Sequence, residues 1–117
     1  MTDHTANPLC FVADSPRHGR GLFARGPIAA STWIGFYSGR QTSVNGTHVL
    51  WVESDDEFGV DGWIGYDGTN ELRFLNHARN PNGEMDGRDL YALRDIRAGE
   101  EITIHYGEEF ENDLQAT

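Results

Sequence analysis

ELRFLNHARNPN, residues 71–82, sets an apolar pair ahead of Asn76 and His77 and closes on Asn-Pro-Asn. Pro81 removes a backbone donor and biases Asn80 toward extended backbone, so no helix runs through this stretch. A short helix or knot-like turn is expected over 70–78, with Asn70 as N-cap. Asn76 and His77 together bring mixed donors and acceptors. That suits a polar, heteroatom-rich ligand such as a nucleoside, and a plain polar loop tied by Asx turns explains the same letters. His77 is a poor metal ligand, because no second and third ligand stands at metal-site spacing.

Downstream, RDIRAGEEITIHYG (94–107) reads as a turn at Gly99, a strand opened by Glu100 and Glu101, and a closing tyrosine, Tyr106. Alternation puts Ile102, Ile104 and Tyr106 on one face and Glu101, Thr103 and His105 on the other. A phenol at the end of an apolar face needs a partner for its hydroxyl. A core tyrosine bonded to a carbonyl and a hydroxyl held at a pocket end both meet that need. Upstream, RHGRGLFA (17–24) flanks Arg20 with Gly19 and Gly21. Glycine admits positive φ and close backbone approach, though a simple turn uses the same pair.

The remaining sequence is one of short runs rich in Val, Ile, Trp, Phe and Tyr, punctuated by 14 glycines, which is the pattern of many short strands joined by turns. Strands are expected near 9–13, 21–24, 32–37, 48–53, 58–61, 89–93 and 101–106, with an acidic turn at 54–57. No long amphipathic helix stands out, so the domain is expected to be mostly β. LFARGPIAASTWIGFYSG (22–39) aligns without gaps on LYALRDIRAGEEITIHYG (90–107). Each block reads as strand, tight turn, strand, and two hairpins of equal loop length account for the echo.

At 117 residues the chain fits one domain. Residues 1–8 and 112–117 are expected to be tails around a domain at 9–111. No apolar run approaches a membrane span, and the start lacks a charged and apolar leader. A soluble, intracellular protein is expected. The single cysteine, Cys10, excludes an intrachain disulfide and reads as a small buried residue. The net charge of −10 repels phosphate backbones, which argues against nucleic acid, and attracts basic partners. All nine basic residues are arginine, so the chain has no lysine of its own to modify.

Taken together, GRGLFA (19–24), RFLNHARNPN (73–82) and GEEITIHY (99–106) resemble, in order and spacing, the motifs of the SET-domain family of protein-lysine methyltransferases. The resemblance spans roughly residues 9–110. FYSGR (36–40) is similar to that family's first Tyr-x-Gly strand, and FGVDG (58–62) to its strand ending in Asp plus a small residue. The resemblance implies a SET-domain (β-clip) fold of short strands with little helix, in which the Asn-His segment threads, knot-like, under a C-terminal loop. It implies S-adenosylmethionine as cofactor and a lysine-bearing basic protein or peptide, such as a histone tail, as substrate. Carried over by position, Arg20, Gly21, Arg73, Phe74, Asn76 and His77 would lie along the cofactor, with Asn76 and His77 its main polar contacts. Tyr106 would be the catalytic tyrosine, and Tyr37 would line the lysine channel. No metal is implied.

The chain departs from the family's pattern at five places. Ala78 and Arg79 replace a Ser-Cys pair, and His105 replaces the usual acid before Tyr106. Phe36 replaces the usual Glu before the first channel tyrosine. Ile104 stands where many members carry Phe or Tyr, which implies that more than one methyl can be added. No cysteine-rich segment follows Tyr106, so the family's zinc-bound lid is missing. Phe110 is one candidate to close that side, and some small members close it by dimerising, so a homodimer is among the expectations. Two other functions fit parts of the sequence: a catalytically inactive module of the same fold that binds basic peptides, and an unrelated acidic β domain.

Overall fold

The structure, a computed structural model, describes residues 7–17, 19–44, 46, 48–53 and 63–106. The described residues form ten short strands and one 3-10 turn. The strands are β1 Cys10–Asp14, β2 Arg20–Ala24, β3 Trp33–Phe36, β4 Gly39–Thr42, β5 Val49–Glu53, β6 Trp63–Gly68, β7 Asn76–His77, β8 Gly83–Asp86, β9 Asp89–Ala92 and β10 Glu101–Ile104. The 3-10 turn, Glu71–Phe74, lies between β6 and β7. The mostly-β expectation holds. Among the described residues no helix is long and apolar enough to cross a membrane.

Three small sheets result, ordered β1-β2-β10-β7, β3-β9-β8 and β4-β6-β5. Their pairings are antiparallel except one: β7 runs parallel to β10, with Asn76 beside Thr103 and His77 beside Ile104. A parallel pair cannot be joined by a tight turn. The chain therefore leaves β7, builds β8 and β9, and returns through β10 to lie against the Asn-His segment. That puts the two deciding stretches of sequence side by side.

The echo between 22–39 and 90–107 has a structural counterpart, but neither block is a hairpin closed on itself. The first strand of one block pairs with the last strand of the other: β2 with β10, and β9 with β3. At the crossing, Ile28 and Ile96 exchange two backbone hydrogen bonds of 2.8 Å each. The Ala24 N–H donates to Glu100 O at 3.0 Å, and its counterpart Ala92 donates to Thr32 O at 2.9 Å. Gly99 N–H reaches Ala24 O, and its counterpart Ser31 N–H reaches Ala92 O, both at 2.8 Å. Ser31 and Gly99 both take positive φ, 71° and 81°. The matched residues thus reflect two interlocked blocks sharing one backbone pattern.

The core follows from this interlock. Leu22, Leu90, Ile34, Ile102 and Ile96 are fully buried at matched places, joined by Leu72 from the 3-10 turn. Each such side chain contributes roughly 1.5–3 kcal/mol relative to exposure. Cys10 is buried, as expected of a small residue after Leu9. In β10, Ile102 and Ile104 join the hydrophobic core, and Thr103 between them is buried as well in a strand with neighbours on both edges. The strand ends at Ile104, so His105 and Tyr106 lie beyond it.

Asn70 precedes the 3-10 turn as expected, yet its side chain makes no cap bond. Instead its carbonyl oxygen accepts the Ser38 N–H at 3.1 Å, and its nitrogen donates to Phe36 O at 2.7 Å. It pins the turn to the end of β3, on either side of Tyr37. The strand expected at 58–61 and the acidic turn at 54–57 lie outside the described residues, as does Phe110. The FGVDG stretch likewise lies outside the described residues; β6, which follows it, ends on Asp67 and Gly68.

Candidate active site

The parallel β7–β10 pair brings Asn76, His77 and Tyr106 together. Asn76 is buried, and its side-chain nitrogen donates to Arg20 O at 3.0 Å and to Glu101 Oε2 at 2.9 Å. Both partners are acceptors, which fixes the nitrogen toward them and turns the amide oxygen the other way. The bond to Arg20 joins the Asn-His strand to the glycine-flanked loop. The two glycines there serve different ends. Gly19 takes φ +48° with open space beside it, whereas a Cβ on Gly21 would stand 2.4 Å from Glu101 Oε2. What approaches Gly21 so closely is a carboxylate of the chain itself.

His77 is half-buried. Its Nδ1 accepts the Tyr106 backbone N–H at 2.9 Å, which places the proton of the neutral ring on Nε2. Its ring lies edge-on to His105 at 4.6 Å and against Tyr106 at 5.3 Å. His105 and Tyr106 therefore converge on His77, not on opposite faces as the alternation suggested. Tyr106 is 47 % exposed as a residue, but its hydroxyl is tied inward, donating to Leu75 O at 2.5 Å. Leu75 is the neighbour of Asn76, so the polar anchor and the phenol end are one residue apart along the chain, about 3.8 Å between Cα atoms.

Tyr37 is only 6 % exposed. Its backbone is bracketed by Arg88: Tyr37 N–H donates to Arg88 O at 2.7 Å, and Arg88 Nε donates to Tyr37 O at 3.1 Å. The Arg88 guanidinium carbon lies over both the Phe36 and Tyr66 rings, 4.4 and 3.8 Å from their centroids. The Tyr37 hydroxyl donates to His48 O. Gly68 leaves room for it, since a Cβ there would meet Tyr37 Oη at 2.6 Å and Arg73 Cβ at 2.7 Å. Burial pushes the Tyr37 phenol up to about 12, helped by Asp67 and Tyr106. Burial, then Glu101, raises Tyr106 as well. Both phenols stay protonated at neutral pH. Each has given its one proton to a carbonyl, so toward a third group each oxygen acts as an acceptor.

The RF pair shapes the floor. The Arg73 guanidinium donates to Thr69 O and Asn70 O at 3.0 and 2.9 Å and stacks on Phe74 at 4.4 Å. Arg73 O meets His48 Nδ1 at 3.1 Å, and the His48 ring stands edge-on to Phe74. Sequence reasoning missed Glu101, His48, Asp67 and Gly68. Glu101 sat in a quoted motif and was read only as a strand opener. His48 and Gly68 carry no local signal, since their roles depend on which carbonyl and which phenol come near.

A family model described as the SET domain matches residues 19–107. The chain belongs to the SET-domain family. It is 30% identical to a fission-yeast (Schizosaccharomyces pombe) histone-lysine N-methyltransferase specific for H3 lysine-37, over 83% of this chain and 72% of that protein. It is 35% identical to an Eremothecium gossypii histone-lysine N-methyltransferase specific for H3 lysine-4, over 91% of this chain but 13% of that protein. The SET fold is also seen in the crystal structure of a Plasmodium falciparum protein described as a histone methyltransferase. It matches with TM-score 0.64 and 16% identity, covering 86% of this chain and 94% of that one. The matched SET region thus spans about three quarters of the first relative and a small part of the second.

Proposed function

We propose that this SET domain transfers methyl groups from S-adenosylmethionine to a lysine side chain of a basic protein of the histone kind. The observation that carries the reading is the junction at Leu75 and Asn76. The buried Asn76 anchor, bound to the glycine-flanked loop, lies one residue from the carbonyl that holds the Tyr106 hydroxyl. The residues fit the cofactor on two counts. Asn76 is a buried amide whose orientation is fixed by two acceptors on its nitrogen, polar contact surface of the kind a heteroatom-rich cofactor needs. Gly19 leaves its backbone open on the side where a nucleoside can approach.

The bound cofactor supplies an electrophilic sulfonium methyl. Arg20, Gly21, Arg73, Phe74, Asn76 and His77 hold it, Arg20 and Gly21 through backbone. Tyr106 and Tyr37 act on the substrate side. Their oxygens, as acceptors, would orient the hydrogens of the substrate amine. Positioning of this kind supplies much of the rate of a methyl transfer, which needs no covalent enzyme intermediate. The lysine must arrive without its proton, whose reference pKa is about 10.4. A half-buried aromatic channel favours the neutral amine. Asp67, exposed and near enough to Tyr37 to bias it, places negative charge where a basic chain would approach. Ile104 is buried and has no hydroxyl to hold a water against a methylated amine, so addition of more than one methyl is the expected outcome.

The test combines calorimetric titration with S-adenosylmethionine and incubation with labelled cofactor and histone or other basic proteins. Binding, and label on lysine with di- or trimethyl product by mass spectrometry, is the expected result. Cofactor binding without transfer to any basic protein would leave the inactive peptide-binding module as the better reading.

A further inference from the structure

Glu101 gathers three side-chain partners in the site and takes no part in the mechanism above. Its side chain is 8% exposed. Ser15 Oγ lies 2.9 Å from both carboxylate oxygens, Asn76 Nδ2 2.9 Å from Oε2, and Arg17 Nε 3.5 Å from Oε1. These donors come from two segments distant in sequence: the β1–β2 loop and β7. A third, β2, contributes Gly21, whose lack of a Cβ admits the carboxylate. The strand carrying Glu101 is anchored without the carboxylate. Asn82 donates to Glu101 O at 2.8 Å and accepts the Thr103 N–H at 2.8 Å, and backbone pairing to β2 does the rest. The carboxylate is therefore spent on the loop and on Asn76.

Resting on the proposed function, we infer that Glu101 is a positioning residue: it holds Asn76 nitrogen-inward and draws the Ser15–Arg17 loop against it, so that cofactor affinity depends on a charge the cofactor does not touch. Glu101 and Arg20 O both accept from the Asn76 side-chain nitrogen, and Glu101 is the charged one of the two. With Glu101 gone that hold weakens, and rotation about the terminal torsion becomes cheaper because that torsion is broad. The same loss releases Ser15, whose hydroxyl also accepts the Arg17 N–H at 3.0 Å, so the loop loosens with it. A charged acceptor makes each of these bonds stronger than a neutral one would.

The experiment compares Glu101→Ala, Glu101→Gln and, as a control, Glu100→Ala in the full chain. Glu100 is the sequence neighbour, but it bonds Arg97 N, Asn82 and Arg94 away from Asn76. Glu101→Ala is expected to raise the dissociation constant for S-adenosylmethionine up to about tenfold, the loss expected for Asn76 itself, with KM for the basic substrate within twofold. Glu101→Gln keeps an acceptor for Asn76 and is expected to stay within threefold of wild type. Without any cofactor, Glu101→Ala is expected to shift the Asn76 side-chain amide signals in NMR and to speed exchange of loop amides 15–21. Glu100→Ala should do neither, whatever it does to Tm. Unchanged amide signals and loop exchange in Glu101→Ala overturn the inference. So does an affinity loss no greater than that of Glu100→Ala at equal Tm. If the wild type itself fails to bind S-adenosylmethionine, the functional reading falls, and the cofactor-free signals still decide whether Glu101 holds Asn76.

Discussion

Around Asn76 a side-chain carboxylate shares the holding with the Arg20 carbonyl; the hydroxyls of Tyr37 and Tyr106 end on main-chain carbonyls. On the Asn76 side a buried carboxylate, a hydroxyl and an arginine converge from separate segments. On the tyrosine side the hydroxyls end on His48 O and Leu75 O, and their backbones are tied by Arg88 and His77. The difference has a physical consequence. A side-chain network can be dismantled one group at a time. A carbonyl cannot be removed by substitution, so the phenol side yields only to loss of the hydroxyl or to a new atom forced into its space.

The largest expected effect separates the two sides directly. Tyr106→Phe removes one oriented oxygen at the reacting end, and kcat is expected to fall roughly 100-fold, the scale for deleting one preorganised polar group. Cofactor affinity should hold within about threefold, an order-of-magnitude expectation for a group outside the anchor. Asn76→Ala should do the reverse in emphasis, weakening cofactor binding about tenfold, roughly one good hydrogen bond to a charged group. Titration calorimetry beside initial-rate kinetics reads both. Equal losses of affinity in the two variants would erase the distinction between the sides.

A smaller effect is expected at Gly68. An added Cβ would meet the Tyr37 hydroxyl and the Arg73 Cβ, and the latter is not the free end of a flexible chain. Gly68→Ala should therefore lower stability by about 1–3 kcal/mol, the range for overpacking. Because Tyr37 has to move, KM for the basic substrate should rise more than the dissociation constant of the cofactor does. Thermal melts and the two binding measurements check this. A stable variant with an unchanged substrate KM would show that Gly68 does not shape the channel.

Much of this site was legible because it lies in contiguous motifs. RFLNHARNPN and GEEITIHY carry Asn76, His77 and Tyr106 within a few residues of one another, and the expectation that Tyr106 needs a hydroxyl partner is met at Leu75. Strands rich in apolar residues, such as β2 and β5, were legible for the same local reason. β4 (GRQT) and β8 (GEMD) were not, since neither has an apolar periodicity; their strands exist because β6 and β9 offer them edges. The interlock of 22–39 with 90–107 was visible as an echo but not as an exchange. Identical letters describe two closed hairpins or two blocks that trade strands, and only long-range pairing chooses. Glu101 was hidden by its neighbours, since a strand opener and a buried clamp have the same local sequence.

The interlock also offers the smallest and cleanest test of what the backbone alone contributes. Ser31 and Gly99 occupy matched turns with nearly the same positive φ, one leading into β3 and Tyr37, the other into β10 and Glu101. A Cβ at Gly99 meets nothing within 4 Å, so Gly99→Ala is opposed by conformation only. It should lose about 1 kcal/mol, the scale of a left-handed non-glycine residue. Ser31→Gly relieves that same strain but gives the unfolded chain more freedom, about 0.5–1 kcal/mol in the opposite direction. The net gain should be at most a few tenths of a kcal/mol. Denaturant unfolding measures both. Neither turn touches Asn76 or a phenol, so cofactor affinity and kcat should stay near wild type in both variants. A clear loss of activity in Gly99→Ala at retained stability would mean that strain in this turn reaches Glu101, and that the Asn76 side depends on backbone as much as the tyrosine side does.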